Sequence, residues 1–345
     1  MNPRSAAAPG PTNMSDVARE AGVSIATVSR ALRGLPGVSD PTRDRIFRVA
    51  EELSYVVSPE ASTLSGGRTG RVAVVVPSLE SWFASTMMAT IESTVRGANR
   101  DVLLYQVDGE AQRSRFFREL PTRRKVDAVV LVSLPILPEE EQRLDLMGVQ
   151  VVVAGSRLRD FPFVEVDDVA IAVKATEHLV ELGHTRIGMI RTSDTEGARW
   201  TSDLHRSEGY LQTLHAHGLG DPGPLHVTEH YGVRAGERAM HRLLDLDDPP
   251  TAVLCYSDEM AISALQAATS RGLRVPDDLS LVGIDGHPLA ALFGITTVDQ
   301  HVRDQARLAG EMALRLLGGE PLEDPAIIVE SELVVRSSTA PPPAG

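Results

Sequence analysis

Apolar residues recur at two different periods along this chain of 345 residues, and the change falls near residue 70. Before it the spacing is helical. Val17, Ala18 and Ala21 share one face of a first short helix, with Ser15 as its cap and Asp16 at its positive end. Gly22 stops that helix, because glycine takes a left-handed position at low cost. Ser24 caps a second helix. Val28, Ala31 and Leu32 form its inner face, and Ala26, Ser29, Arg30 and Arg33 follow i, i+3, i+4, i+7 on the outer one. A third helix begins near Ser39, carries Pro41 in its first turn, and presents Ile46, Val49, Ala50 and Leu53 as one stripe. Its core is slight, so the three-helix unit is marginal alone. Residues 56–68 carry cap signals at Ser58 and Pro59 and end at Gly66 and Gly67. The helix they allow is well below the roughly 12–15 residues needed for isolated stability. This predicts a hinge that is disordered when free and helical when bound, with Ala61 and Leu64 on one apolar face; a flexible linker is the alternative.

From Arg71 onward short apolar runs alternate with amphipathic segments. Strands are expected at RVAVVVP, DVLLYQV, DAVVLVS and VQVVVAG, and again at RIGMI, residues 224–228, TAVLCYS and SLVGID. Helices are expected at 84–98, 110–120, 138–147, 168–182, 203–217, 234–244 and 258–271. Strands alternating with helices predict parallel sheets covered on both faces, here twice over. VDQHVRDQ then returns the chain to the first half, a helix over 303–317 packs there, and AIIVESELVVR supplies the last strands.

Composition adds compartment and charge. The chain is 42% hydrophobic and 23% charged, ordinary for a protein with a sizeable core, and its length predicts two or three domains. The single cysteine, Cys255, excludes an intrachain disulfide and reads as a small buried hydrophobe. No apolar run reaches membrane-spanning length and no signal-peptide pattern opens the chain, so a cytoplasmic protein is expected. The net charge of −13 argues against nucleic acid only until it is divided: residues 1–70 hold eight Arg and seven acidic residues, a net of +1.

The outer face of the second helix is small, polar and basic. Small residues let a helix approach base edges in the DNA major groove, and Arg takes guanine O6 and N7 bidentately. An ordinary helical hairpin would explain the same spacing. The string DVAREAGVSIATVSRAL, followed by VSDPTRDRI and AEELSYVV, closely resembles the N-terminus of the lactose-repressor (LacI/GalR) family of bacterial transcription regulators, and the likeness continues along the whole chain. It implies an α/β protein with an N-terminal three-helix helix-turn-helix headpiece and hinge helix, then a two-lobed core like the type I periplasmic binding proteins. The expected division is a disordered tail over 1–13, a headpiece over 14–56, a hinge over 57–69, a two-lobed domain over 70–338 and a tail over 339–345. Lobe 1 is expected at about 70–166 and 299–325, and lobe 2 at about 167–298 and 326–338. The resemblance further implies a homodimer on a palindromic operator, with a nucleoid-bound location. The tail STAPPPAG offers no heptads for a tetramer.

On the same resemblance, Ile25, Ala26 and Arg30 fall at base-reading positions, and Leu64 matches a leucine wedged into the minor groove, with Ala61 beside it. Ser24, Thr27, Ser29 and Arg33 suit phosphates. Ile25 could instead pack the first helical turn. A small-molecule effector, expected to be a carbohydrate, would lie between the lobes, outside the carboxyl ends of the strands. Arg206 and Asp285 match residues that hold hydroxyls; Trp82 and Phe83 stand where relatives place a cleft aromatic; Ser257 and Asp258 either touch ligand or merely cap a helix. Trp200 is a further aromatic candidate. Gly155 and Gly286 replace acids common in relatives, which points to an altered ligand. No dinucleotide fingerprint, P-loop, HExxH or nucleophile elbow is present, and His184, His205, His215 and His217 show no metal spacing. The chain therefore reads as a ligand-responsive regulator, expected to be a repressor of sugar-utilisation genes, with no cofactor or metal. A corepressor-dependent regulator of purine type, a ligand-binding module without DNA function, and an α/β enzyme are the competing readings.

Overall fold

A computed structural model describes residues 12–32, 35–53, 55, 69–123, 125–134, 136, 138–146, 148–193 and 200–343. The expected hinge with Ala61 and Leu64, most of the N-terminal tail, and Arg33 lie outside the described residues. The chain divides into two compact units, residues 1–69 and 70–345.

The first unit contains helices Met14–Glu20, Ile25–Leu32 and Asp40–Glu52. Asn13, rather than Ser15, caps the first. Its side chain accepts from the Ser15 and Asp16 amides while the Asp16 carboxylate accepts from the Asn13 amide at 3.1 Å. This reciprocal box needs an acid three residues after the cap; Asn13 has Asp16 there, whereas Ser15 has Ala18. Gly22 turns the chain at φ +64°, and Val23 N–H returns to the Ala18 carbonyl at 3.0 Å. Ser24 Oγ then accepts from the Thr27 amide at 3.1 Å, opening the second helix. That helix is held at its other end by Arg43, which donates to the Ala31 and Leu35 carbonyls at 2.9 and 3.0 Å. Val17, Val28, Ala31 and Ile46 are fully buried among the three helices.

The second unit holds two six-stranded sheets. The first uses β1 (Arg71–Val76), β2 (Asp101–Gln106), β3 (Ala128–Val132), β4 (Gln150–Ala154), β5 (Phe163–Glu165) and, late in the chain, β11 (Ala326–Ile328), in the order β11-β5-β4-β3-β1-β2. The second uses β6 (Ile187–Ser193), β7 (His226–His230), β8 (Ala252–Cys255), β9 (Ser280–Asp285), β10 (Thr296–Asp299) and β12 (Glu332–Val334), in the order β12-β10-β9-β8-β6-β7. Every pairing is parallel except β10 with β12. β3, β6 and β9 are buried along their whole length; β3 accordingly reads as an unbroken apolar run, while β6 and β9 are apolar at their centres and end in polar residues that reach the carboxyl edge.

Three features depart from the expected pattern. β5, β10 and a short helix at Pro288–Leu292 were not expected; β10 carries one apolar residue, Val298, and the helix is a single turn. The assignment of all of 326–338 to the second lobe needs correction: Ala326–Ile328 pairs in parallel with β5 of the first sheet, and only Glu332–Val334 joins the second. The helix Val302–Gly318 does return to the first lobe, burying Ala306, Ala309 and Ala313 there. Finally, 338–340 is no loose tail. Ser338 Oγ accepts from the Thr296 amide at 2.8 Å and donates to the Leu281 carbonyl, while Ala340 N–H and C=O both bond Ser280 Oγ. His184, buried after the helix Asp168–Glu181, reaches Thr251, Ser280 and the Ala340 carbonyl.

Ser338→Ala removes the hydroxyl and leaves a buried amide and carbonyl unpaired. It should destabilise the protein by about 1–3 kcal/mol, read as a lower midpoint with unchanged slope in urea unfolding of the full chain. An unchanged midpoint would show that the C-terminal strip contributes nothing to the second sheet.

Candidate functional site

In the first unit the second helix exposes one side only. Ser24, Ile25, Ala26 and Arg30 are exposed, Thr27 and Ser29 are half-buried, and Val28 and Ala31 are buried. Ile25 is 50% exposed and takes no part in the apolar cluster, so it does not pack the first turn. Arg30 folds over Gly37, whose missing Cβ would sit 3.2 Å from Arg30 Nη1. Gly37 has φ +94°, a conformation that side chains resist, so the turn both requires glycine and leaves room for the guanidinium.

In the second unit a cavity of ≈ 570 Å³, partly open to solvent, lies at the carboxyl ends of strands from both sheets. The first sheet supplies Pro77 after β1, Ser133 after β3, Gly155 after β4, and Phe83 from the helix Trp82–Gly97. The second supplies Tyr231 after β7, Tyr256 and Ser257 after β8, Asp285 at the end of β9, and Gln300 after β10. Asp168, at the start of one helix, and Trp200, Ser202 and Arg206, before and within the first two turns of the helix Thr201–Ala216, line it too, with Ser81, Ala84 and Val132. This is the position in which open α/β sheets hold ligands.

The floor is a buried polar network. Arg206 is 4% exposed; its Nε donates to Asp168 Oδ1 at 2.7 Å and its Nη1 to the Tyr256 carbonyl at 2.6 Å, with the guanidinium 4.6 Å over the Tyr256 ring. Burial works against that charge, but Asp168, with Tyr256 and Asp285, holds its pKa above the ordinary arginine value. Asp285 accepts from Gln300 Nε2 at 2.7 Å. Burial, reinforced by the nearby Asp258 charge, raises the Asp285 pKa well above the carboxylate range. Its φ of +137° is a backbone strain that only a well-supported site sustains. Three aromatic rings form the wall: Trp200 lies 5.5 Å from Tyr231 and 6.0 Å from Tyr256, centre to centre, and Ser202 Oγ bonds Tyr256 OH at 2.8 Å.

Of the candidates read from sequence, Phe83, Arg206, Ser257, Asp285 and Trp200 come together here. Ser257 also caps the helix Asp258–Ser270 through the Met260 amide, so both of its expected roles coexist. Trp82 and Asp258 are corrections, since neither lines the cavity. The Trp82 ring sits against His287 at 4.7 Å, and its amide donates to Glu259 Oε2 at 3.1 Å, joining the first lobe to the second. Asp258 is fully buried beneath the site. It accepts from the His287 amide at 2.7 Å and lies so close to Gly283 that a Cβ there would fall 2.0 Å from its Oδ1. The sequence reading missed Asp168, Ser202, Tyr231, Tyr256 and Gln300. Their shared signal is position: each stands just after a strand or at the start of a helix. Among the described residues no three His, Cys, Asp or Glu side chains gather as a metal-binding group.

The two expected gaps have physical causes. At Gly155 a Cβ would lie 2.5 Å from Ser133 Oγ and 2.8 Å from Phe83 Cζ, so the Phe83 ring occupies the space of a side chain there. At Gly286 it would lie 2.3 Å from the Asp299 carboxyl carbon.

Residues 13–58 match the family model for bacterial regulatory proteins of the lacI family, and 176–339 match a periplasmic binding protein-like domain. The chain is 30% identical to the HTH-type transcriptional regulator DegA of Bacillus subtilis, covering 96% of this chain and 98% of that one. It is 32% identical to the HTH-type transcriptional repressor CytR of Escherichia coli, over 94% and 96%. A solved complex of the transcriptional regulator CelR with cellobiose superposes with a TM-score of 0.71 at 28% identity, over 95% and 99%.

Burial pushes the Asp258 carboxyl up to about 6, against hydrogen bonds from Thr297 and the His287 amide that lower it. The folded state therefore keeps a proton that the unfolded chain releases near pH 4. Stability from this group is present at low pH and is lost as pH rises through about 6. Asp258→Asn abolishes that titration. The Tm of the variant relative to the parent should rise by a few degrees between pH 4.5 and pH 7.5; a difference independent of pH would refute the shift.

Proposed function

The chain belongs to the lacI family of bacterial regulatory proteins and is a DNA-binding transcriptional regulator rather than an enzyme; on that premise we propose that it is a homodimeric repressor of sugar-utilisation genes, released or tightened by a carbohydrate bound between its lobes. The observation that carries the reading is the one-sided exposure of the helix Ile25–Leu32 together with a cleft built of aromatic faces, a paired guanidinium and carboxyl groups. Aromatic faces accept the C–H side of a pyranose, while Arg206, Asp168, Asp285 and Gln300 supply donors and acceptors for hydroxyls. The likeness to a regulator solved with cellobiose supports the ligand class.

In this reading Arg30 is the hydrogen-bonding base reader. Ile25 and Ala26 make apolar contacts, for example to a thymine methyl, and Ser24, Thr27, Ser29 and Arg33 position the helix on phosphates. Ala61 and Leu64 enter the minor groove as the hinge segments of two protomers pair. Two-fold symmetry matches a palindromic operator. The protein acts in the cytoplasm, on the nucleoid. An effector shifts operator affinity only by its difference in affinity between two settings of the lobes, and DNA must shift effector affinity equally in return.

Selection of bound sequences from random DNA by the purified full chain tests the reading. The expected product is a palindrome whose half-sites are about one helical turn apart. Arg30→Ala should weaken binding to that sequence about 5- to 150-fold and relax selection at one base pair per half-site. No enrichment, with or without pooled sugars, would overturn the regulator of palindromic DNA.

A further inference from the structure

Arg30 stands in the last turn of the helix Ile25–Leu32, which is eight residues long. The last carbonyls of a helix lack partners within it, and a helix this short frays unless something outside holds its end. Two of those carbonyls are taken up here. The Arg30 carbonyl accepts from the Leu35 amide at 3.0 Å, and the Ala31 carbonyl accepts from Arg43 Nη1 at 2.9 Å. The other terminal nitrogen of Arg43 donates to the Leu35 carbonyl at 3.0 Å. One guanidinium thus bridges the helix end and the turn that follows it. That turn meets Arg30 twice: at its backbone through the Leu35 amide, and at its side chain through Gly37, where a Cβ would fall 3.2 Å from Arg30 Nη1.

Arg43 brings these contacts from a firmer element. It lies in the first turn of the helix Asp40–Glu52, its amide bonded to the Ser39 carbonyl at 2.9 Å. That helix has 13 residues and buries Ile46, Val49 and Ala50 in the core of the unit. The half-buried guanidinium places a positive charge at the negative end of the shorter helix, where it is favourable. Both of its terminal nitrogens are turned onto backbone carbonyls of the same unit. A planar fork spans two acceptors at a fixed separation, whereas a lysine ammonium is a single point on a flexible stem and cannot copy the bridge. The opposite end of the helix is held independently, by Ser24 Oγ on the Thr27 amide. Ile25 and Ala26 therefore keep their placement without Arg43, and Arg30 does not.

We propose that Arg43 is a positioning residue for sequence readout: it touches no base, and it sets the aim of Arg30 by pinning the helix end and the 35–37 turn to the helix Asp40–Glu52. This rests on the reading of Arg30 as the base reader. The test is binding of the full chain to the selected palindrome, to its single-base-pair variants and to a non-specific duplex of equal length, across a salt series. Arg30→Ala, Arg43→Lys and the double variant are compared with the parent. Arg43→Lys keeps the charge. It should weaken binding to the palindrome about tenfold and relax selection at the same base pair as Arg30→Ala. Preferences elsewhere, non-specific affinity and the salt slope should not change. The double variant should bind within about twofold of Arg30→Ala alone, because without the reader there is nothing to aim. Hydrogen exchange of residues 14–32 and 40–52, measured on the full chain, confirms that the headpiece is folded, and Arg43→Gln repeats the test should Arg43→Lys unfold it. A uniform loss across sequences with a salt slope smaller by about one would make Arg43 a phosphate contact and overturn the proposal. Lost protection in both variants with affinity falling alike at every position, or selection relaxed nowhere, would overturn it too. Each of these leaves the reading of Arg30 standing, whereas Arg30→Ala relaxing no base pair would overturn both.

Discussion

A guanidinium taken out of water must be paid for by partners, and Arg206 sets the terms for the core of this molecule. Removing one such partner would leave an uncompensated charge, a far larger loss than the pair contributes. Asp168 must therefore open its helix where its carboxylate reaches Nε, and the turn after β8 must aim the Tyr256 carbonyl at Nη1. Three elements of the second lobe are positioned by one side chain. Their positioning is what brings Tyr256, Ser257 and Asp285 to a common wall. The site is preorganised because its charge could not otherwise be buried.

A second carboxylate performs a comparable task between the lobes. Glu259 accepts from the Trp82 amide of the first lobe and from the Tyr231 hydroxyl of the second. Trp82 also lies against His287, so a lobe contact and a cavity wall share one small cluster. The Tyr231 ring of the cavity and the contact between lobes are thus tied to one carboxylate. Burial lowers the pKa of His287, with Glu259 opposing, and the ring's Nδ1 accepts from the Leu289 amide at 2.8 Å.

Much of this was legible in sequence because it rests on period and on local chemistry. The apolar runs of β3 and β9, the glycine at 22 and the apolar stripe of the third helix all lie where their spacing places them. The failures are equally physical. Asn13 out-competes Ser15 as cap through an acid three residues on, a pairing visible only once both candidates are weighed together. β5 is three residues long, and β10, Thr296–Asp299, has Val298 as its single apolar residue, so neither shows the apolar run that marks the equally short β8. Within the site the errors come in adjacent pairs. Phe83 lines the cavity and Trp82 does not; Ser257 does and Asp258 does not. Trp82 and Phe83 open a helix, where successive residues point about 100° apart, so the two aim differently and sequence alone does not say which meets the cleft; Ser257 is the extended cap of its helix and Asp258 the first residue within it. Tyr231, Tyr256 and Gln300 escape notice because their convergence is a property of strand order.

The glycines at 155 and 286 turn an apparent loss of polar groups into a statement about shape. Phe83 and Asp299 stand where side chains at these positions would go, and both glycines adopt φ near +73°, where a larger residue is strained as well as crowded. Restoring an acid at either position would require the neighbouring side chain to leave. The surface that Phe83 and the Ser133 hydroxyl lay over Gly155 is thus coupled to the backbone conformation beneath it. The polar side chains, Arg206, Asp168, Asp285 and Gln300, gather instead on the floor of the cavity. A ring with one apolar and one polar face, laid across the strand ends, meets that division of surface better than a molecule polar all round.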